Sequence, residues 1–301
     1  MLWAVLAIFS HFLWAWVNIG DKFVVSRRVD SGAAYVLWTS LLGAGISIML
    51  LPFVTLSVPE PRVFLTIAAG GFFYFIAAFP YIRAMQLEEP TRINVWWGLI
   101  PIFGLLFGSV FFQDRLSTRE LIAFVLLVLG AVIGTIHAQR RHFGFSGKAV
   151  AFMVLSTCAY ALYGVIIRSA ERSLSFIEIF FWFNLVVSAC ALAALLLPHL
   201  RTRFMTQGRT FTPGLFGIIV AIALTHALAA FFNVWALSLK PAALVFAMEG
   251  FQVLFVFAIA AVLTKFFPAV VEEELDRWNV LIKIGAMCCV IAGLLVLSFA
   301  S

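Results

Sequence analysis

The chain has 301 residues, of which 64% are hydrophobic and only 11% are charged, and its formal net charge at pH 7 is +6. Soluble domains carry about 25% charged residues, so this composition excludes an ordinary soluble enzyme, a coiled coil and a disordered chain. A transmembrane helix needs about 20 apolar residues, which leaves room for about ten helices and for no separate soluble domain.

Ten apolar windows follow one another along the chain, and nine of them contain no Asp, Glu, Lys or Arg. Each window is long enough to cross about 30 Å of hydrocarbon as a helix, which satisfies the backbone groups that lipid leaves unpaired. We therefore predict an all-α integral membrane protein with ten transmembrane helices. The windows are residues 1–20, 33–57, 63–82, 93–112, 121–139, 149–167, 179–198, 213–239, 242–264 and 284–301.

Short connections between the windows carry almost all of the charge. The longest polar ones are residues 20–32, 139–148, 199–212 and 265–283, and we interpret the last as a solvated acidic loop. The excess of Lys and Arg lies in these connections, where it sets the orientation of a membrane protein. The positive net charge therefore does not predict a nucleic-acid partner.

The two halves of the chain resemble each other. Residues 77–87 and 229–239 are identical at five of eleven positions, at an offset of 152. An offset close to half the chain length predicts a five-helix unit used twice, over residues 1–140 and 141–301. Because five is odd, the second unit enters the membrane from the opposite side. Such inverted repeats are typical of secondary transporters, whose substrate site lies near the midplane between the halves.

Glu249 is the one charged residue inside the apolar windows, at the eighth position of the ninth window. Charged side chains within a membrane are costly, and they mark substrate sites and proton pathways. We therefore predict that Glu249 binds substrate and exchanges a coupling proton. The alternative is a protonated Glu249 that hydrogen-bonds a neighbouring helix. His226 is a second candidate for proton coupling, against the alternative that it only packs between helices.

Other polar and aromatic residues recur on one face of the predicted helices. In the first window His11, Trp14 and Asn18 are three and four residues apart, and this stripe ends at Asp21 at the predicted membrane interface. Polar positions that match in the two halves predict surfaces facing one shared cavity, with interhelical hydrogen bonding as the alternative. The predicted cavity residues are Trp14, Asn18, Tyr74, Tyr81, Asn94, Trp97, Tyr160, Tyr163, His226, Asn233, Glu249 and Gln252.

The side chains of this predicted cavity suit a neutral or cationic organic molecule, because aromatic faces attract cations. An anionic molecule would instead be bound by the basic residues that flank the windows, Lys22, Arg83, Arg92 and Arg168. The sequence contains no H-E-x-x-H zinc motif and no nucleotide-binding P-loop, so we predict no metal site and no cofactor. Any energy for transport must then come from a gradient.

Several segments resemble the EamA-type proteins of the drug/metabolite transporter superfamily. Residues 99–107 and 112–117 are similar to the fourth-helix pattern, in which a Pro-Val-Phe run precedes Leu-Gly-Glu-Arg-Leu-Ser. Residues 129–134 and 291–296 are similar to the closing segment of each half. The resemblance implies ten helices in two units of five, export of a small organic molecule and both termini inside the cell. The distribution of Lys and Arg instead favours both termini outside.

Two other functions fit individual features. Residues 144–147 match the G-x-S-G string of rhomboid-type intramembrane proteases, with Ser146 as nucleophile and His226 as base, but Ser146 lies in a polar connection. A membrane scaffold is disfavoured by the polar positions that match in both halves. We therefore predict a transporter rather than an enzyme, a monomer or homodimer in the cell (inner) membrane. Its partners are a small-molecule substrate, the lipid bilayer and protons, and it works by alternating access.

Overall fold

The computed structural model describes residues 2–54, 58–87, 93, 96–113, 115–135, 146–170, 174–266 and 277–298. Within these ranges the regular structure is entirely helical, with no strand. We number the helices α1 (Leu2–Arg27), α2 (Gly32–Leu50), α3 (Pro61–Leu87), α4 (Leu99–Phe112), α5 (Thr118–Thr135), α6 (Gly147–Ala170), α7 (Phe176–Ala194), α8 (Pro198–Arg209), α9 (Pro213–Leu239), α10 (Ala242–Ala247), α11 (Glu249–Phe266) and α12 (Arg277–Ser298).

Seven stretches of the described chain are long and apolar enough to cross a membrane. They are α1, α2 with the short 3-10 turn that follows it, α3, α6, α7, α9, and α10 together with α11. The prediction of an all-helical membrane protein is confirmed. Helices α4, α5 and α12 occupy the other three apolar windows, and ten spans in an inverted repeat stay a prediction.

The polar connection 199–212 contains a helix that the sequence analysis did not predict. Helix α8 has most of its polar side chains exposed and buries Phe204 and Gln207. The Phe204 ring stacks on Trp38 of α2 with centroids 4.4 Å apart. The Gln207 side-chain oxygen accepts hydrogen bonds from the backbone N–H groups of Asp30 and Ser31, at 3.0 and 3.3 Å. Helix α8 therefore packs over the turn between α1 and α2. The acidic segment 267–276 lies outside the described residues.

Helix packing follows the order of helices in the two halves. The third helix of the first half, α3, packs along α6, which is the first helix of the second half. In the same way α1 packs along α9, the third apolar helix of the second half. Helix α2 packs on α7, and α5 packs on α12. If the two halves are exchanged, the contact of α3 with α6 becomes the contact of α9 with α1. The contacts of α2 with α7 and of α5 with α12 each map onto themselves.

Glycines allow the closest approaches between these helices. A Cβ atom added at Gly71 of α3 would lie 2.7 Å from Cγ1 and 3.1 Å from Cβ of Val186 in α7. A Cβ atom at Gly70 would lie 2.7 Å from Ile167 of α6. Because Val186 Cβ is attached directly to the backbone, it cannot move away unless α7 itself shifts. Gly71 therefore sets the distance between α3 and α7.

The Gly71→Ala variant tests this packing. We expect the new methyl group to overpack the α3–α7 contact and to lower the free energy of unfolding by about 1–3 kcal/mol. Thermal unfolding of the purified protein in detergent measures the change. Gly45→Ala is the matched control, because a Cβ atom at Gly45 in α2 meets nothing within 4 Å. Equal unfolding temperatures for the two variants would contradict the predicted close contact.

Candidate functional site

Two connected cavities lie between helices of the two halves. The first, which we call the tryptophan chamber because Trp14 and Trp97 line it, has a volume of about 60 Å³. The second, the side chamber, has a volume of about 90 Å³ and extends between α2, α7 and α9. Five residues line both chambers and so form the junction between them. They are Asp21, Tyr74, Tyr81, Tyr160 and His226.

The structure brings together eleven of the twelve predicted cavity residues in the tryptophan chamber. The twelfth, Asn94, lies outside the described residues. The polar stripe of α1 faces the chamber, as its helical spacing predicts. The eleven residues are Trp14, Asn18, Tyr74, Tyr81, Trp97, Tyr160, Tyr163, His226, Asn233, Glu249 and Gln252.

Glu249 begins α11, one residue after the end of α10. Helix α10 ends at Ala247 and α11 begins at Glu249. Backbone hydrogen bonds continue across this point, from Met248 N–H to the Val245 carbonyl at 3.2 Å and from Phe251 N–H to the Met248 carbonyl at 2.9 Å. These bonds span three residues instead of four, so the helix is locally tightened here. Helices α10 and α11 together form one apolar span, as the sequence predicts.

His11 of α1 contacts the two polar side chains that begin α11. Its Nδ1 atom lies 3.0 Å from Gln252 Oε1 and 3.4 Å from Glu249 Oε2. All three side chains are buried. His11 belongs to the polar stripe seen in the sequence but was not among the predicted cavity residues. The contact links a carboxyl group to an imidazole, a pair between which a proton can move.

Asp21 is a second buried carboxyl group, and the sequence analysis assigned it to the membrane interface. The Tyr35 hydroxyl donates to Asp21 Oδ1 at 2.5 Å, and the Tyr81 hydroxyl lies 3.1 Å from Asp21 Oδ2. The Tyr81 hydroxyl also lies 2.8 Å from Asn18 Oδ1. The sequence did carry a signal for Asp21, because it is three residues after Asn18 and seven after Trp14 on the same helix face.

All five tyrosines of the chain line the two chambers, whereas its 33 phenylalanines spread over the whole molecule. The Tyr74 hydroxyl hydrogen-bonds Nε2 of His226, its counterpart at the offset of 152. The ring centroid of Tyr74 lies 5.2 Å from that of Tyr160 and 4.9 Å from that of Tyr163. A buried tyrosine hydroxyl usually has a hydrogen-bond partner, and polar partners are found around these chambers rather than in lipid.

Several side chains that line the tryptophan chamber have buried polar atoms without a hydrogen-bond partner among the described residues. They are the indole N–H groups of Trp14 and Trp97, the hydroxyl of Tyr163 and both amide atoms of Asn233. More than about 90% of buried polar groups in proteins are hydrogen-bonded, and exceptions call for an explanation. Three of these four side chains act only or mainly as donors. They suit a molecule that brings hydrogen-bond acceptors into the chamber.

Of the four basic residues expected to bind an anionic molecule, the three that the structure describes do not line either chamber. The Lys22 ammonium donates to the backbone carbonyl of Met85 at 2.9 Å. The Arg83 guanidinium donates to Gln86 Oε1 at 3.0 Å on the exterior. Arg168 is near the end of α6, and Arg92 lies outside the described residues. The geometry therefore favours the neutral or cationic alternative over the anionic one.

The features of a protease or a metal site are not brought together in the described part of the chain. Ser146 immediately precedes α6 and is 14 residues, or about 21 Å along a helix, from Tyr160, which lines both chambers together with His226. The serine and the histidine of the rhomboid alternative are therefore far apart. No group of three His, Cys, Asp or Glu residues that could hold a metal ion occurs in these ranges.

Comparison with known proteins agrees with the resemblance of the sequence. Residues 1–136, which include α1 to α5, match the model of the EamA-like transporter family. No curated protein matches the chain. A solved structure described only as a crystal structure of a protein is similar to this chain, with a TM-score of 0.70 and 17% sequence identity. The alignment covers 99% of this chain and 96% of the chain in that structure. At this identity the likeness extends to the fold alone.

The Asn233→Leu variant tests whether the polar atoms of the chamber are retained for a ligand. Leucine has a similar volume, and an unpaired buried amide costs about 1–3 kcal/mol, so we expect the unfolding temperature to stay the same or rise. Asn184→Leu is the control, because the Asn184 amide donates to the Phe180 carbonyl at 2.8 Å and its loss should destabilise the protein. A larger loss of stability for Asn233→Leu than for Asn184→Leu would contradict a ligand-facing role.

Proposed function

We propose, on the basis of the EamA-like transporter sequence of residues 1–136, that the chain is a secondary transporter of small organic molecules. It works by alternating access in the cell (inner) membrane, in the export direction, as a monomer or homodimer. One observation carries the proposal: the tryptophan chamber is lined from both halves and presents buried polar atoms without protein partners. A transporter needs such a site between two bodies that can move relative to each other.

The packing of the helices supports two inverted five-helix units, residues 1–140 and 141–301. Exchange of the two halves maps the contact of α3 with α6 onto that of α9 with α1. Two equivalent residues can touch only close to the axis that relates the halves. Tyr74 and His226, which match at the offset of 152, do touch. The chamber then surrounds this axis, and rocking of one half against the other would open it to either side.

Proton coupling is assigned to Glu249 together with His11, and His226 is the second candidate. Glu249 is buried, lines the chamber and contacts His11. A substrate and a proton that both bind near Glu249 influence each other's affinity reciprocally. Release of the proton on one side would thereby drive uptake of the substrate into the site. His226 already shares Nε2 with the Tyr74 hydroxyl, which leaves Glu249 the better placed of the two.

A function as an enzyme or a scaffold has less support. Ser146 and His226 are too far apart to act as the nucleophile and the base of a protease. A scaffold has no need of unpartnered polar atoms around an internal chamber, because such atoms lower stability. Neither alternative accounts for the residues that the two halves contribute to the same cavity.

The Glu249→Gln variant tests the coupling. A molecule that raises the unfolding temperature in a metabolite screen is radiolabelled, and its uptake into proteoliposomes is measured with and without a pH difference. One pH unit supplies about 1.4 kcal/mol per proton, so the wild-type accumulation ratio should change about tenfold. We expect the variant to lose this dependence. Glu60→Gln, at an exposed position before α3, is the control. Unchanged pH dependence in Glu249→Gln would exclude the coupling role.

A further inference from the structure

We propose that Asp21 and the tyrosines at the junction of the two chambers form a binding subsite for the ammonium group of an organic amine. The proposal rests on the proposed transport function and names the chemical class of its substrate. Asp21 lines both chambers, so a molecule passing from one to the other meets its carboxylate. The observations that carry the proposal are the charge at the junction, the arrangement of aromatic rings around it and the unpartnered atoms next to it.

The charge of Asp21 has no basic partner at the junction. The side chain is 5% exposed, and each carboxylate oxygen contacts a phenol hydroxyl, one from Tyr35 and one from Tyr81. No Lys or Arg is among the described residues that line either chamber. A buried charge without a counter-ion is strongly destabilising, and two neutral hydrogen-bond donors offset only part of that cost. A bound cation would complete the site.

Aromatic rings surround the same position. Tyr74, Tyr81 and Tyr160 line the junction, and the ring of Trp97 lies 5.1 Å from that of Tyr81 and 5.4 Å from that of Tyr160. The faces of tyrosine and tryptophan attract organic cations, most strongly where water is excluded. A metal ion such as Na⁺ needs a shell of free oxygen ligands, whereas the oxygens next to Asp21 are already hydrogen-bonded to one another. The surroundings of Asp21 therefore suit an ammonium group attached to an organic body.

The polar atoms without partners in the tryptophan chamber indicate what the rest of the bound amine should carry. Trp97 and Tyr163 present donors without partners beside the junction, so the amine should also carry a hydrogen-bond acceptor. The carboxyl of Glu249 is well separated from Asp21, because its contact His11 precedes Asp21 by ten residues, about 15 Å along α1. The ammonium group and the coupling proton thus bind at different places. Asp21 selects the substrate, and Glu249 exchanges the proton.

Isothermal titration calorimetry of the purified full chain with a matched series of small molecules tests the subsite. The probes are n-butylammonium chloride and 2-phenylethylammonium chloride, with neutral 2-phenylethanol and anionic 3-phenylpropanoate as comparisons. We expect 2-phenylethylammonium to bind at least about tenfold more tightly than the neutral and anionic molecules, as for a hydrogen-bonded charge. Asp21→Asn should remove this preference and weaken ammonium binding about tenfold or more. Asp30→Asn, at an exposed position after α1, is the matched control.

Equal affinity for the three phenyl-bearing probes, or unchanged ammonium binding by Asp21→Asn, would overturn the proposal. So would stabilisation by NaCl that depends on Asp21 while neither amine binds. If Asp21→Asn does not fold, Tyr160→Leu provides the test, because it removes an aromatic face and leaves both hydrogen bonds of Asp21 intact. We expect it to weaken 2-phenylethylammonium binding several-fold.

Uptake into proteoliposomes separates failure of the subsite from failure of the proposed function. Amine binding that depends on Asp21 without any amine uptake would support the subsite and contradict transport. Uptake of 2-phenylethylammonium that is equal in wild type and Asp21→Asn would support transport and contradict the subsite.

Discussion

The structure depends on one constraint, which is that a polar side chain inside a membrane must find its partner within the protein. Hydrocarbon offers no hydrogen bonds, so each buried polar group is paired with another group or faces a cavity that holds a ligand or water. In this chain the constraint gathers all five tyrosines and two carboxyl groups around two connected chambers. The apolar residues face outward or pack between helices, as shown by exposed Leu and Phe side chains on nearly every span.

Packing between the helices determines the shape of these chambers. Glycines such as Gly71 bring α3 close to α7, and Glu249 begins α11 one residue after α10 ends. The contact of Tyr74 with His226 joins the two halves at equivalent positions. Asp21 of α1 and Glu249 of α11 lie at different levels, because Glu249 contacts His11, which precedes Asp21 by ten residues. Two separated carboxyl groups therefore line one cavity.

Much of the candidate site was predictable because helical spacing converts a sequence pattern into a surface. Trp14 and Asn18 lie on one face of α1, and Tyr74 and His226, which match at the offset of 152, hydrogen-bond each other. Asp21 was missed as a cavity residue because it ends the apolar window, where an interfacial location is the ordinary interpretation. Tyr35 was missed because its partner Asp21 is on another helix. Helix α8 was missed because it buries only Phe204 and Gln207, against partners near α2.

The amino-acid sequence by itself determined the class of the protein, the apolar windows and the set of polar residues that must avoid lipid, because hydrophobicity and helical period act locally along the chain. Tertiary structure alone decided which of these polar residues meet. It also decided that Asp21 is buried among tyrosines and that, among the described basic residues, Lys22, Arg83 and Arg168 do not line the chambers. These features depend on distances between helices far apart in sequence, and such distances are set by packing.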